Sequence, residues 1–446
     1  MSEPDASPLV SSSPGSGEPK VNEGGITARD WTFLCFLTAL NVLNFVDRQL
    51  LASFANYIVP DLNLTDGQFG LLTGLIFVFF YALVGLFAGY LADTVHRPRL
   101  VAGGVFLWSF LTAMSGAAKG FVSLAIPRLF IGVGESVLTP ASMSMLADRF
   151  PLSRLGLATG FYYMGVPLGI GASLLVAGYL GDILGWRACF YLLGGLGLLM
   201  AVGLLFVRER PRTGIVKANE ESAKTSKNTI KLVVATLRSC PSLGLVMAGG
   251  VVFHFILGAQ AFDQLWFAQE LGFDRADIAK KAGFAAVVFG ILGNIFGGMA
   301  SDAFQRITGQ GRPMLLFWLM LLFLPFGIVY RLSDGDSIWF WVGICLAFFQ
   351  QGALYGPTFS TIQELAPPQL RATFAALYIL VLNLIGLGIG VTAAGFSIEW
   401  MKAAGWATPY ASTLLGFTLL SALAIPIFFF SGVLFKRDVE RQAQSA

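Results

Sequence analysis

Charge is scarce in this chain. Only 12% of its 446 residues are Asp, Glu, Lys or Arg, against roughly 25% in an ordinary soluble protein. So few charges cannot cover the surface of a water-soluble protein of this length. Histidine occurs twice and cysteine four times, at Cys35, Cys189, Cys240 and Cys345, with no CxxC pair. That spacing excludes a zinc or disulfide framework and leaves the four as small buried side chains. No HExxH and no GxxxxGK[ST] run is present, so neither a zincin site nor an ATP-binding loop is available. Gly171-Ala-Ser173 has no partner base, and an enzyme is not expected. The net charge of +3, without a basic stripe, gives no nucleic-acid partner.

What the chain has instead is apolar length. Hydrophobic residues make up 55% of it, and the mean hydropathy is +0.71. A spanning helix needs about 20 mostly apolar residues. Twelve such stretches are expected, at 30–58, 66–92, 100–118, 121–148, 154–181 and 185–207, then 240–268, 275–303, 312–331, 337–364, 369–398 and 407–435. The fold class is therefore an all-α polytopic membrane protein. Its expected parts are a disordered tail (1–28), a six-helix bundle (29–208), a linker (209–238), a second bundle (239–436) and a short tail (437–446). Residues 1–28 have no apolar h-region and do not read as a signal peptide. With the N-terminus inside, inner segments hold 20 Lys and Arg and outer loops 7, which favours both termini on the cytoplasmic side. Pro140, Pro167, Pro357 and Pro426 fall within spans and are expected to kink them.

The halves repeat. Gly89-Tyr-Leu-Ala-Asp93-Thr-Val-His-Arg97 closes span two, and Gly298-Met-Ala-Ser-Asp302-Ala-Phe-Gln-Arg306 closes span eight. Gly, Asp and Arg each recur at an offset of 209 residues, which indicates duplication.

These residues resemble the major facilitator superfamily of transporters over about 29–436. Its GxLaDxxxR turn is Gly89, Leu91, Asp93 and Arg97, and its RxxxGxG pattern is Arg128, Gly132 and Gly134. Asn44-Phe-Val-Asp47-Arg48 and Gly134-Glu135…Pro140 resemble the spinster branch. Organic anion:cation symporters share the Asp-Arg pair and Gly185-Trp186-Arg187, and the Gly-Glu pair tips the likeness towards spinster. The resemblance implies twelve spans with cytoplasmic termini and alternating access. It also implies export of sphingolipids, lysolipids or amphipathic drugs. A cytoplasmic latch between the halves is implied at Gly89, Asp93, Arg97, Arg154 and Asp302.

Four charges lie deep in spans: Asp47, Arg48, Arg128 and Glu135. A lone charge at the bilayer centre costs at least ~2.5–3.5 kcal/mol, so a set of two acids and two bases should face itself or a wet cavity. Asp47 is about 25 Å along span one, and Glu135 should reach a similar depth from the other side. Arg128 shares a helix face with Glu135 two turns away. Arg48 and Asp47 point about 100° apart and cannot face one partner. The expectation is a proton site, with Glu135 the acceptor, Asp47 its partner, and Arg48 and Arg128 the counter-charges that switch. A paired carboxylate could also ligate sodium. The alternative is an anion symporter in which Arg48 and Arg128 hold a substrate carboxylate. Asn44, Tyr81, Tyr162, Tyr163 and Tyr355 are candidate cavity residues, each polar at the tip. His254 reads as a satisfied buried histidine. Gln260, Asp263 and Gln264 face either an outer vestibule or headgroup water. Glycines crowd spans five and eleven and permit close helix approach. A monomer in the cell (inner) membrane, with no cofactor or metal, is expected. Its partners would be an amphipathic substrate, protons and the lipid bilayer.

Overall fold

The computed structural model describes residues 26–207, 209 and 222–445. The tail 1–25, residues 210–221 of the expected linker and the side chains of Gly89 and Asp93 lie outside the described residues. Among the described residues the chain is helical, with no strand.

The first half holds α1 (Ala28–Ser53), α2 (Ala55–Asp61), α3 (Asp66–Thr73), α4 (Leu75–Thr94), α5 (Arg97–Ser115), α6 (Phe121–Ser136), α7 (Leu138–Ala147), α8 (Leu152–Tyr163) and α9 (Gly165–Leu205). The amphipathic α10 (Ser222–Ser239) leads to the second half. That half holds α11 (Pro241–Ala259), α12 (Asp263–Gln269), α13 (Arg275–Thr308), α14 (Arg312–Leu332), α15 (Ile338–Leu365), α16 (Arg371–Val381), α17 (Gly390–Ala403), α18 (Pro409–Ser421) and α19 (Ala424–Ser445). A π-helical stretch, Leu382–Ile389, joins α16 to α17. Among the described residues, ten stretches are long and apolar enough to cross a membrane. One of them, Arg154–Leu205, contains Gly185 at φ +76° and ψ 158°, where α9 turns into a second arm. Only glycine adopts that angle cheaply.

Local sequence explains the ends. At the start of α1 Thr27 donates its N–H and its hydroxyl to Asp30 Oδ2, and Thr65 with Gln68 forms a reciprocal box at the start of α3. The expected proline kinks take a specific form. Pro140, Pro167 and Pro426 each sit in the first turn of a new helix, just after a break near Val137, Met164 and Ser421. There the missing N–H costs nothing. Pro357 alone of the four lies within an unbroken helix, α15.

Within the first half α9 packs on α1 and α5, and α6 on α4 and α5; within the second, α15 packs on α13 and α14, and α19 on α11 and α14. Between the halves, α3 meets α17 and α9 meets α13. The face carrying the starts of α1 and α5 and the end of α19 is here termed terminal, and the opposite one distal. The hydrogen bonds joining described residues of the two halves lie on the distal side of the molecule. Asp66 accepts from Lys402 Nζ (2.6 Å) and Tyr410 Oη (2.7 Å), and Glu399 accepts from the Gly67 amide at 3.0 Å. Asp182 accepts from Arg275 at 2.9 Å, and Thr392 donates to the Gly70 carbonyl at 3.3 Å.

Candidate functional site: a buried charge cluster beside the interface of the halves

Two glycines bring the cluster together. A Cβ on Gly132 would lie 2.6 Å from the Phe77 carbonyl, and one on Gly134 would lie 2.6 Å from the Gly104 carbonyl. Glycine at these positions therefore seats α6 against α4 and α5 at backbone distance. That approach sets Arg128 and Glu135 beside α1.

Asp47, Glu135 and Arg128 are buried, at 2%, 2% and 5% exposure, so their partners decide what they cost. Arg48 donates from Nε (3.2 Å) and Nη2 (3.1 Å) to Glu135 Oε2. Its guanidinium lies 4.5 Å from the Tyr81 ring and 5.3 Å from Phe77. Arg128 takes a different set. It donates to the backbone carbonyls of Arg48 (2.9 Å), Asp47 (3.3 Å) and Leu72 (3.4 Å) and stacks on Phe77 at 4.5 Å. It thus ties α1 to the end of α3, just before the non-helical Gly74 (φ −105°, ψ −109°).

Neither carboxylate oxygen of Asp47 has a hydrogen-bond partner, and Glu135 Oε1 has none. The Trp108 indole N–H faces Asp47 and the Asn44 amide faces Glu135, each as a loose donor outside good hydrogen-bond geometry. Buried polar atoms are normally satisfied, so this concentration of unmet capacity marks the site. Of the adjacent Asp47 and Arg48 side chains, Arg48 is the one bonded to Glu135. Trp108 gave no sequence signal, since an indole in an apolar span reads as packing.

The other candidates separate. Tyr81 lies under Arg48, and Tyr355 accepts or donates at 3.1 Å to His254, whose Nδ1 meets the Gly250 carbonyl at 2.6 Å. Tyr163 is exposed, whereas Tyr162 is buried against Thr139 at 3.3 Å. At the terminal face Arg97 is buried and pairs with Asp148 of the first half and with Glu209 at the start of the linker (2.7 Å). Asp302 pairs with Arg312 at 2.9 Å within the second, and Arg154 is exposed. Gly89 and Asp93 sit on α4, and their side chains are outside the described residues.

Burial alone would raise the Glu209 carboxyl, but hydrogen bonds from Arg97 outweigh it and hold it below the usual range. A depressed folded value gives stability that is present above the unfolded value and is lost as pH falls through the folded one. Thermal melts of the wild type should therefore decline across and below the ordinary carboxylate range, and Glu209→Gln should flatten that limb. Identical acid limbs would show that the pair is fully screened.

Known proteins bear on this geometry. The Major Facilitator Superfamily profile matches residues 37–391. An MFS-type efflux pump of Mycolicibacterium smegmatis is 27% identical over 79% of this chain and 80% of its own length. Protein spinster homolog 1 of Xenopus laevis is 25% identical over 80% of this chain and 71% of its own. Among solved structures, a bacterial homologue of the human lysosomal transporter Spinster, in an inward-facing and unoccupied conformation, is similar in fold. It superposes with a TM-score of 0.79 at 23% identity, over 93% of this chain and 99% of that one. The chain is thus an integral, multi-pass membrane transporter and not an enzyme, and it belongs to the Major Facilitator Superfamily.

Proposed function

We propose that this chain is a proton-coupled secondary carrier that moves an amphipathic small molecule by alternating access. Twelve passes in two six-helix bundles, both termini cytoplasmic, would rock about the charge cluster. The observation that carries the reading is the asymmetry of the two buried acids. Glu135 is paired with Arg48, while Asp47 makes no ion pair among the described residues and has only the Trp108 indole beside it as a loose donor. Coupling requires an ion whose affinity differs between two conformations. Arg48 is the counter-charge on Glu135. A rocking motion that draws it off Glu135 would change that acid's hold on a proton. A relative from Arabidopsis thaliana named as a probable sphingolipid transporter supports a lipid-like substrate, and the rings of Phe45, Phe77 and Tyr81 around Arg48 suit one.

The anion-symporter alternative asks Arg48 and Arg128 to hold a substrate carboxylate. Arg128 already spends its N–H groups on three backbone carbonyls, and Arg48 on Glu135. That occupancy weighs against it.

The test is transport in proteoliposomes under an imposed pH gradient, with a fluorescent lysolipid and a small organic anion side by side. The wild type should accumulate the lysolipid when the gradient is applied. Glu135→Gln and Asp47→Asn should abolish gradient-driven accumulation while downhill movement persists. Unchanged gradient dependence in both variants would remove the proton role. Movement of the anion alone would favour the symporter.

A further inference from the structure

A second polar site lies between the halves, further along α1 towards the distal face. It is a cavity of about 90 Å³ whose wall carries four carboxamides. Gln49 comes from α1, Gln260 and Gln264 from the junction of α11 and α12, and Gln351 from α15. Gln264 is 5% exposed, and its Oε1 has no hydrogen-bond partner. Its backbone carbonyl meanwhile accepts from Asn56 Nδ2 of the first half at 2.6 Å, which fixes the residue in place. A buried acceptor left unmet on a fixed backbone is costly unless a ligand or solvent meets it.

The cavity holds no net charge. Its one carboxylate, Asp263, accepts from Arg331 Nη1 at 2.8 Å. Arg331 in turn is 3% exposed and lies over the Tyr330 and Trp266 rings at 4.5 and 4.9 Å. An anionic head would find no free cation here, and a cationic head no free acid. A carboxamide both donates and accepts, as a hydroxyl or amide does. Leu257, Phe267 and Phe348 supply the apolar remainder of the wall.

We infer that this cavity is a subsite for the uncharged, hydroxyl- or amide-bearing end of an amphipath, held by Gln264 and its neighbouring carboxamides. The volume admits only a few heavy atoms, so the tail stays outside it. The inference rests on the carrier reading above and narrows its substrate class.

The test is a binding titration, read by intrinsic tryptophan fluorescence, on the full-length protein in nanodiscs. Three probes share one alkyl tail: lauroyl glycerol, laurate and dodecyltrimethylammonium. Lauroyl glycerol should bind at least about tenfold tighter than either charged probe, because a site built for hydrogen bonds discriminates strongly by head group. Gln264→Leu and Gln351→Leu should each erase that preference and leave the charged probes unchanged. Gln351 is half-buried on α15, so its variant serves if Gln264→Leu does not fold. Equal binding of all three probes by the wild type, or a preference that survives in the folded variants, would overturn the subsite. The readout needs neither gradient nor turnover. A preference kept without gradient-driven transport would therefore sink the carrier reading alone. Coupled transport without a preference would sink the subsite alone.

Discussion

Gly74→Val is expected to abolish transport while leaving the protein folded. Gly74 lies at the break between α3 and α4, and a Cβ there would sit 2.7 Å from the Gly388 carbonyl and against Val391 and Thr392. One α3 turn away, a Cβ on Gly70 would lie 2.8 Å from the Val391 carbonyl. The two segments thus pass backbone to backbone, and a backbone carbonyl cannot swing aside as a side chain can. They also belong to different halves. Strain at this crossing is relieved most cheaply by rotating the halves apart, with each half's own core undisturbed. Overpacking costs about 1–3 kcal/mol, and more against backbone. At about 3 kcal/mol the distal-closed state loses roughly 150-fold in population, enough to stall the cycle. Spin labels at Lys119 and Asp336, on exposed distal turns of the two halves, report the change. Their distance should lengthen in Gly74→Val. It should stay at the wild-type value in Gly85→Val, where a Cβ meets nothing within 4 Å. Lost transport at an unchanged distance would point to local damage and against a steric wedge between the halves.

The second large effect concerns Arg48. Arg48→Leu leaves Glu135 buried with no partner for Oε2, in addition to the unmet Oε1. Removing one member of a buried ion pair typically costs about 3–5 kcal/mol, most of it the penalty of the stranded charge. The variant should melt well below the wild type and fail to transport. Arg48→Leu/Glu135→Gln removes the stranded charge as well. The double variant should regain most of the lost thermal stability yet show no gradient-driven accumulation. A single variant as stable as the wild type would mean that solvent, not Arg48, satisfies Glu135.

Much of this molecule was readable from its residues, for a physical reason. In an apolar span a charge is conspicuous, so Asp47, Arg48, Arg128 and Glu135 announced themselves. The helix repeat gave the shared face of Arg128 and Glu135. What Arg128 binds was not readable, because backbone carbonyls exist at every position and leave no sequence signal. The breaks at Val137 and Met164 were hidden too. Proline suggested a kink somewhere, but only packing decides whether the helix bends or restarts. Tyr162 and Tyr163 are adjacent and point about 100° apart, so one had to turn inward, and composition does not say which. Glycines in the fifth span divide the same way. Gly171 and Gly178 face α13 across the halves, while Gly156 and Gly160 meet nothing.

The distal bonds between Asp66, Lys402 and Tyr410 have one more consequence. A seal made of oil-like side chains can be opened only by wetting them, which water resists. A seal fastened by a carboxylate, an ammonium and a phenol loses little when water takes the place of each partner. Lys402 is 39% exposed, so mobile ions already reach it. Raising the salt on the distal side should therefore ease unfastening, because an interaction within a Debye length of about 8 Å at physiological ionic strength weakens as that length shrinks. In the proposed cycle the rate would then follow the composition of the distal solution even when neither substrate nor proton changes.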